Sequence, residues 1–307
     1  MQALKLNTYL NRFKSIYLLL TLGFVLFIAW RQLPDFRNVV RHLDSISIEI
    51  FASSLVLAAC SYSFRSLRWL LFIRLTEQLA SCRHHIFIYL SGFAFTASPA
   101  KAGELMRGTH LMLIGVPFRY TLCSFISERL FDVISVLLLG SYFLIYHFNI
   151  AFSLLLILIL ILPFMVSMIL NLVSRWLNNE RLLNLILVFR SLWKKRIVAT
   201  SMLYSLCAWS AQGFILYLIL IQLGVEISIP MAVSIYCLSL LIGAASLIPS
   251  GIGATELGMI WLLNKVGVEN DIAFISSLVT RMVTLWPAML LGLLCAFSLN
   301  KAHESEV

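Results

Sequence analysis

From residue 133 to residue 174 the chain reads VISVLLLGSYFLIYHFNIAFSLLLILILILPFMVSMILNLVS, without a single Asp, Glu, Lys or Arg. A helix needs roughly 20 consecutive apolar residues to cross the hydrocarbon core of a bilayer. This stretch is therefore long enough for two crossings, joined by a short turn near 147–149. Uncharged runs at 15–30 and 197–225 have the same character. Together they predict an all-α polytopic membrane protein.

The composition supports the same class. Hydrophobic residues make up 61% and charged residues 12% of the 307 residues, whereas soluble domains carry about 25% charged residues. A net charge of +9 is typical of cytoplasmic loops facing anionic lipid, so we expect no nucleic-acid partner. The cysteines form no CxxC pair, the histidines have no metal spacing, and no hydrophilic run is long enough for a soluble catalytic domain. We therefore expect no metal, no cofactor and no enzymatic activity.

We predict six membrane-spanning helices within a single integral membrane domain over 1–307. The predicted crossings are approximately 15–31, 47–66, 121–146, 150–173, 199–222 and 273–298. A basic stretch precedes the first, and no small-residue cleavage site follows it, so we expect this helix to remain as an anchor.

Two further hydrophobic segments, 84–114 and 229–264, are interrupted in the middle by Pro and Gly. Proline removes a backbone donor and glycine weakens a helix, so each segment is predicted to form two half-helices with a bend. Irregular backbone at membrane depth survives only where protein or a wet cavity covers it. We therefore predict two re-entrant helical hairpins. Their predicted hinge residues are Pro99 and Gly103 in the first, and Pro249, Gly251 and Gly253 in the second.

The distribution of Lys and Arg predicts the orientation. With the N-terminus in the cytoplasm, sixteen of the 23 basic residues lie on the cytoplasmic side, four lie outside and three lie at membrane depth. Cytoplasmic loops are enriched in Lys and Arg, so both termini are predicted to be cytoplasmic in a bacterial-type cytoplasmic membrane. The sixteen include Arg65, Arg68 and Arg107.

Residues 176–196 interleave aromatic and aliphatic side chains with Arg181, Arg190 and Lys194. This pattern predicts an amphipathic helix lying on the cytoplasmic surface of the membrane. A solvated connecting loop with positive-inside charges is the alternative.

The chain also repeats itself at an offset of 152 residues. The matched residues are Glu104 with Glu256, Gly115 with Gly267, Ser124 with Ser276, Arg129 with Arg281, and Gly140 with Gly292. Glutamate, arginine and glycine are scarce in this chain, so finding them matched in one register is informative. The repeat units are approximately 84–146 and 229–298, and each is a broken hairpin followed by a spanning helix that carries an arginine.

The predicted topology relates the two units by inversion. Three crossings separate their equivalent points, and an odd number inverts the second unit relative to the first. Inverted repeats with discontinuous helices are typical of transporters, whose site lies near the midplane where the breaks meet. An old duplication kept only for packing is the alternative.

Ionisable side chains at membrane depth are the candidate binding residues. A charge at the bilayer centre costs about 2.5–3.5 kcal/mol on insertion scales, so it needs a partner within the fold. We predict that Arg281 pairs with Glu256 and, by the repeat, that Arg129 pairs with Glu104.

Two more acids, Glu128 and Asp132, lie close to Arg129 in the sequence, and Asp132 is within its reach across one helical turn. A purely structural role for these ion pairs is one alternative. The other is that the arginines bind an anionic headgroup, because a guanidinium offers phosphate a planar fork and half-helix N-termini add donors.

Lys101, Glu104 and Arg107 follow the first break at spacings of three residues. If a half-helix begins at Gly103, Glu104 and Arg107 share one face. Lys101 and Arg107 are then predicted to recruit phosphate from the cytoplasmic leaflet, with ordinary snorkelling to the interface as the alternative.

Both breaks carry motifs that resemble those of the lysylphosphatidylglycerol synthase transmembrane-region family. The first is Ser98-Pro99-Ala100-Lys101-Ala102-Gly103-Glu104-Leu105-Met106-Arg107 followed by Glu128-Arg129-Leu130-Phe131-Asp132, similar to the family pattern P-x-x-x-GE-x-x-R, then ER-x-x-D. The second is Pro249-Ser250-Gly251-Ile252-Gly253-Ala254-Thr255-Glu256 followed by Gly267-Val268 and Arg281, similar to P-G-G-x-G-x-x-E, then G-V and R. Ser250 departs from the family's usual Gly. The resemblance covers nearly the whole chain.

In lysylphosphatidylglycerol synthases this region acts as the lipid flippase and is joined to a soluble aminoacyl transferase. The resemblance therefore implies a stand-alone flippase-like protein without that transferase, and it does not imply lipid lysylation. Family members also accompany glycan assembly on polyprenyl carriers. The resemblance thus implies a membrane lipid as the ligand and a separate lipid-modifying enzyme or glycosyltransferase as a partner.

Three functions remain open at this point. The leading one is a lipid translocase for an anionic phospholipid or a polyprenyl-phosphate-linked lipid. In it, Arg129 and Arg281 hold the headgroup phosphate, and Glu104 and Glu256 gate or neutralise these arginines. The second is a membrane-embedded enzyme acting on a lipid-linked sugar or phosphate, with Glu104 or Glu128 as the base. The third is a proton-coupled transporter of a small organic anion.

Overall fold

The computed structural model describes residues 46–76, 80–96, 98–148 and 179–304, with a few positions between 161 and 174. The elements within these ranges are all helical and include no strand, which confirms the all-α class. In chain order the α-helices are α1 (Ile48–Ile73), α2 (Cys82–Ser91), α3 (Arg107–Leu113), α4 (Phe118–Phe148), α5 (Glu180–Leu192), α6 (Lys195–Gln222), α7 (Ile229–Ala245), α8 (Ala254–Lys265), α9 (Asn270–Thr284) and α10 (Trp286–Glu304).

Four helical segments of the described chain are long and apolar enough to cross a membrane. They are Ile48–Thr76, Phe118–His147, Lys195–Gln222 and Asn270–Leu299. They coincide with the predicted crossings at 47–66, 121–146, 199–222 and 273–298. The predicted crossing at 15–31, and most of the one at 150–173, lie outside the described residues.

One stripe of α1 is buried from Ser54 onward. Its buried positions include Ser54, Ala58, Ser61, Arg65 and Arg68, at alternating spacings of four and three residues. Such spacing places these side chains on a single helix face. Because that face packs inside the protein, α1 continues past the predicted end at residue 66.

Counting Arg65, Arg68 and Arg107 as cytoplasmic loop charges is therefore wrong. All three side chains are buried between helices, and charges in the protein interior carry no information about loops. The cytoplasmic count falls from sixteen to thirteen, which still exceeds the four residues predicted outside. The orientation of the chain stays a prediction.

The first broken segment consists of α2, two 3₁₀-helices (Gly92–Phe95 and Pro99–Met106) and α3. Its two arms pack against each other, as expected for a hairpin. The second arm begins with the 3₁₀-helix and not at Gly103. At Gly103 the backbone instead packs closely against the backbone of Phe95, because a Cβ there would lie 2.6 Å from the carbonyl oxygen of Phe95.

The second broken segment consists of α7, a 3₁₀ turn over Pro249–Gly251, and α8. Helices α7 and α8 pack against each other. Ser250, Gly251 and Gly253 have positive φ values of 55°, 63° and 85°, a conformation that favours glycine. Both predicted breaks are confirmed, whereas the re-entrant course of the hairpins in a membrane stays a prediction.

The backbone geometry repeats at the same offset as the sequence. Gly115 follows α3 and Gly267 follows α8, with φ values of 86° and 88°. In both, the N–H of the next residue, a valine, donates to the carbonyl of a leucine in the last helical turn, at 3.0 Å and 3.1 Å. Lys101 and Gly253, also equivalent in the repeat, share a positive φ. The two hairpins therefore have matching local structure at these positions.

The two repeat units also contact each other reciprocally. Gly140 of α4 lies against Leu238 of the second hairpin, and Gly292 of α10 lies against Phe93 and Ala94 of the first hairpin. Because Gly140 and Gly292 are equivalent, each spanning helix uses the same position to contact the other unit's hairpin. A symmetric relation between the two units, and its inversion across a bilayer, stay predictions.

The segment predicted over 176–196 contains α5, which is followed directly by α6. Trp193, between the two helices, donates from Nε1 to Ser127 Oγ at 3.0 Å and stacks on Phe131 at 4.7 Å between ring centroids. Both partners belong to α4, so the end of α5 is fixed to the helical body. The location of this segment on a membrane surface stays a prediction, and 176–178 lie outside the described residues.

Candidate functional site

The two breaks meet inside the helical body. The 3₁₀-helix over Pro99–Met106 packs against the turn over Pro249–Gly251. Next to them lies a cavity with an empty volume of about 400 Å³, its opening included. Helices α1 and α6, both hairpins, and the junction of α9 with α10 all contribute to its wall. A cavity thus occurs where the sequence predicts the binding site.

The wall of this cavity is polar and positively charged. Its charged residues are Arg65, Lys101, Glu104 and Arg281, so three cations accompany one carboxylate. Its polar neutral or aromatic residues are Tyr62, Phe93, Thr96, Trp209, Gln212, Tyr236 and Thr284, and its aliphatic residues are Leu240, Leu285 and Ala288. Such a wall, with basic side chains set among aromatic and aliphatic ones, suits an anionic group.

Arg281 belongs to the second unit, and the predicted ion pair with Glu256 is confirmed. Arg281 Nε lies 2.9 Å from Glu256 Oε1, and its Nη2 donates to the carbonyl oxygen of Ser250 at 2.8 Å. Glu256 Oε2 also accepts from the N–H of Gly253 at 2.6 Å. Glu256 therefore caps α8 and orients Arg281, and it does so without lining the cavity itself.

Arg129 of the first unit makes both of its predicted contacts. Its Nη2 lies 3.4 Å from Glu104 Oε2 and 3.4 Å from Asp132 Oδ2. Glu104 Oε1 accepts from Thr96 Oγ1 at 3.2 Å. Only Glu104 and Thr96 of this group line the cavity. Arg129 reaches the cavity through Glu104 and does not occupy a position equivalent to that of Arg281.

Asp132 connects Arg129 to two further helices. Its Oδ1 lies 2.6 Å from Nη1 of Arg68 on α1 and accepts from Trp209 Nε1 on α6 at 3.1 Å. Arg68 Nη1 also donates to Ser205. Asp132 is buried and is not part of the cavity wall. It therefore positions basic side chains and Trp209 from outside the cavity.

Arg107 and Glu128 form a separate ion pair away from the cavity. Arg107 Nη2 lies 2.6 Å from Glu128 Oε2, and both side chains are 0% exposed. The guanidinium also lies over the rings of Trp69 and Tyr89, at 4.6 Å and 5.0 Å from their centroids. The structure thus separates Arg107 from Lys101, which lines the cavity, so the two do not form the joint phosphate-recruiting face that the sequence predicts.

Arg65 is the cavity residue that the sequence reasoning missed. It is 6% exposed, and its guanidinium lies 5.0 Å from the Phe93 ring and 5.4 Å from the Trp209 ring. Its buried Nε and Nη2 have no hydrogen-bond partner within the described part of the chain. The signal in the sequence was the stripe of small and polar residues on α1, which continues into Arg65 and Arg68.

Lys101 combines an unusual backbone with an unpaired charge. Its φ of 56° lies in the left-handed region, which is costly for a side chain with a Cβ and often marks a functional position. Its Nζ lies 5.9 Å from the Trp209 ring centroid. Among the ion pairs between described residues, none involves Lys101 or Arg65.

The described residues contain no cluster of three or more His, Cys, Asp and Glu side chains arranged for a metal ion. Fold and site instead define a helical membrane protein with two paired helix breaks beside a basic cavity. The chain belongs to the lysylphosphatidylglycerol synthase TM region family, whose model matches residues 15–292. The family resemblance inferred from the two break motifs is thereby confirmed.

Three archaeal proteins are similar to parts of the chain, and all three are described as UPF0104 membrane proteins. One from Pyrococcus horikoshii is 33% identical over 99 residues, which cover 32% of this chain and 30% of that protein. Two more are from Methanothermobacter thermautotrophicus. The first is 34% identical over 88 residues, which cover 29% of this chain and 26% of that protein. The second is 26% identical over 99 residues, which cover 32% of this chain and 29% of that protein. The matched stretches span less than a third of each relative.

Proposed function

We propose that this protein is a lipid translocase that moves a lipid with an anionic, phosphate-bearing headgroup across the cytoplasmic membrane. The observation that carries the proposal is the cavity where the breaks meet. It contains two basic residues, Arg65 and Lys101, that have no carboxylate partner among the described residues.

Electrostatics connects that observation to an anionic ligand. A buried charge without a counter-charge is destabilising by several kcal/mol, on the order of 3–5 kcal/mol when a pair is broken. A phosphate group placed in the cavity would supply the missing negative charge, and a guanidinium matches its oxygens with two parallel hydrogen bonds. Membership of a membrane-protein family named for a lipid synthase favours a lipid as the carrier of that phosphate.

The contacts suggest different roles for the basic residues. In this proposal Arg65, Lys101 and Arg281 contact the headgroup, because these three line the cavity. Glu104 and Glu256 then neutralise and orient the cations when the cavity is empty.

The remaining predicted site residues act at a distance from the ligand in this proposal. Arg129 and Asp132 hold Glu104 and Trp209 in place. Arg107 and Glu128 stabilise the packing of the first hairpin on α4, since neither is exposed.

The two breaks are the proposed moving parts. The 3₁₀-helix over Pro99–Met106 is long for its type, and such stretches often mark hinges. Gly251 and Gly253 hold backbone conformations that α-helices do not use. Rocking of one hairpin against the other would open the cavity to one leaflet and then to the other, as in transporters with discontinuous helices.

Lipid that co-purifies with the protein tests whether the cavity holds a headgroup. We expect mass spectrometry to find a phosphate-bearing lipid with the wild-type protein and to find it depleted from Arg281→Ala and Arg65→Gln. Arg83→Gln is the matched control, because Arg83 is an exposed arginine on α2 of the first hairpin and does not line the cavity. The same lipid content in all four proteins would contradict the proposal.

A small organic anion is the second candidate substrate. Glu104 is the buried carboxylate of the cavity wall that would have to carry the coupled proton in this reading. Uptake of a soluble anion that follows the proton gradient in reconstituted vesicles would support this reading over lipid movement. For an enzymatic reaction, Glu104 is the better placed of the two suggested bases, since it lines the cavity and Glu128 does not.

A further inference from the structure

The interior of the described helical body contains more cations than carboxylates. Six basic residues are buried, line the cavity or pair with a buried acid: Arg65, Arg68, Lys101, Arg107, Arg129 and Arg281. Four acids accompany them: Glu104, Glu128, Asp132 and Glu256. The group as a whole therefore carries two positive charges in excess.

The excess is located in the cavity. The five ion pairs of the described chain involve Arg68, Arg107, Arg129 and Arg281 and use all four acids. Arg65 and Lys101 are the two cations left over, and both line the cavity. The formal charge without a partner thus amounts to two units at a single place.

Arg65 also offers unused hydrogen-bonding groups. Its Nε and Nη2 form one edge of the guanidinium, and both are buried without an acceptor. That edge is the one that makes two parallel N–H···O bonds to an oxyanion. Leaving such donors unsatisfied is costly. Arg68 and Arg107 also have unpaired buried nitrogens, but of the three only Arg65 lines the cavity, where an oxyanion with two oxygens could accept from it.

We infer that the ligand of this cavity is a dianionic phosphate, a phosphomonoester or a diphosphate, in preference to the singly charged phosphodiester of most phospholipid headgroups. This inference rests on the proposed function and narrows its substrate class. A group with two negative charges neutralises Arg65 and Lys101 together, whereas a phosphodiester leaves one positive charge uncompensated in the protein interior. A phosphomonoester also presents three terminal oxygens to the three cavity cations, where a phosphodiester presents two.

Two probes with the same tail test the charge preference. Farnesyl phosphate is a monoester whose second ionisation lies near pH 6, so it is mainly dianionic at pH 8. Its O-methyl diester carries one charge and keeps the farnesyl chain. Binding of each to the full chain in detergent micelles can be measured by thermophoresis. We expect the wild-type protein to bind the monoester about tenfold more tightly, a difference of about 1.4 kcal/mol.

Variants test whether the preference for the monoester arises from the cavity cations. Arg65→Gln and Lys101→Gln should each reduce the tenfold preference to about twofold or less, whereas Arg83→Gln should retain it in full. Lys101→Gln is the second variant because Lys101 is not fully buried and makes no ion pair among the described residues, so its loss breaks no such contact. Equal affinity of the wild-type protein for both esters would overturn the inference, as would a full preference in both cavity variants.

Inorganic phosphate distinguishes a lipid from a soluble source of the same group. If it displaces farnesyl phosphate only at concentrations at least 100-fold higher, the tail contributes and the ligand is a lipid. If it displaces the probe at equal concentration, the charge inference stands and the lipid translocase proposal fails. Conversely, transbilayer movement of phosphodiester lipids without any monoester preference would refute the charge inference and leave the translocase proposal intact.

Discussion

The ion pair between Arg107 and Glu128 tests whether the buried charges outside the cavity stabilise the fold and do not bind the ligand. Glu128→Gln removes the negative charge and keeps the shape and one acceptor oxygen. The charged atoms lie 2.6 Å apart, and both side chains are 0% exposed. At an effective dielectric constant of 20, their attraction is about 6 kcal/mol, and breaking buried pairs costs about 3–5 kcal/mol. Because Gln retains an acceptor, we expect a loss of about 3 kcal/mol.

Reversible unfolding in mixed micelles, with SDS as the denaturant, measures this loss. Asp271→Asn is the matched control, since Asp271 is exposed in the first turn of α9, and it should change stability by less than about 0.5 kcal/mol. The double variant Arg107→Met with Glu128→Leu should recover most of the loss, because replacing a buried pair with apolar side chains is often neutral. If the pair only stabilises the fold, both Glu128→Gln and the double variant should co-purify with the same amount of lipid as the wild-type protein. Unchanged stability of Glu128→Gln together with lost lipid would refute the reasoning.

Three further predictions concern the breaks and the contacts around them. Gly292→Ala should destabilise the protein by about 1–3 kcal/mol, since the added methyl group would overlap the backbone of Phe93 and Ala94; a wild-type unfolding midpoint would contradict the reciprocal packing. Ser250→Gly should stabilise it by about 0.5–1 kcal/mol, because Ser250 has a φ of 55°; a lower thermal unfolding midpoint would count against strain there. Trp209→Phe keeps a ring beside the cavity but removes the donor to Asp132, and should lower the unfolding free energy by about 1 kcal/mol; no change would show that this hydrogen bond is not stabilising.

The pairing of Glu104 with Arg129 and of Glu256 with Arg281 could be predicted from the sequence. Both pairs involve scarce residue types at the same offset, and an arginine in an apolar helix requires a partner inside the fold. The structure confirms both contacts, at 3.4 Å and 2.9 Å. The positions of the two breaks were also predictable, because proline and glycine change the backbone locally and need no tertiary information.

The location of Arg65 and Arg68 could not be derived in the same way. An arginine near the end of an apolar helix is usually a loop charge, so the general rule placed both outside the protein interior. What decides otherwise is tertiary packing: Asp132 on α4 pairs with Arg68, and the rings of Phe93 and Trp209 cover Arg65.

The different locations of Lys101, in the cavity wall, and Arg107, in a buried ion pair, also depend on tertiary contacts. Both follow the first break, and the sequence predicted that they recruit phosphate together, with Glu104 and Arg107 on one helix face. The positive φ of Lys101 interrupts regular helical spacing, and Glu128 on α4 holds Arg107 away from the cavity that Lys101 lines.

Transbilayer movement of lipid is the measurement that tests the central claim most directly. The protein is reconstituted into vesicles containing acyl-labelled fluorescent phosphatidic acid or phosphatidylglycerol, and dithionite then quenches the label exposed on the outer leaflet. We predict that wild-type and Arg83→Gln vesicles lose the inner-leaflet fluorescence of at least one lipid, while Arg281→Ala vesicles retain it like protein-free vesicles. Fluorescence loss at the wild-type rate with correctly inserted Arg281→Ala, or full retention of both lipids with the wild-type protein, would contradict the account.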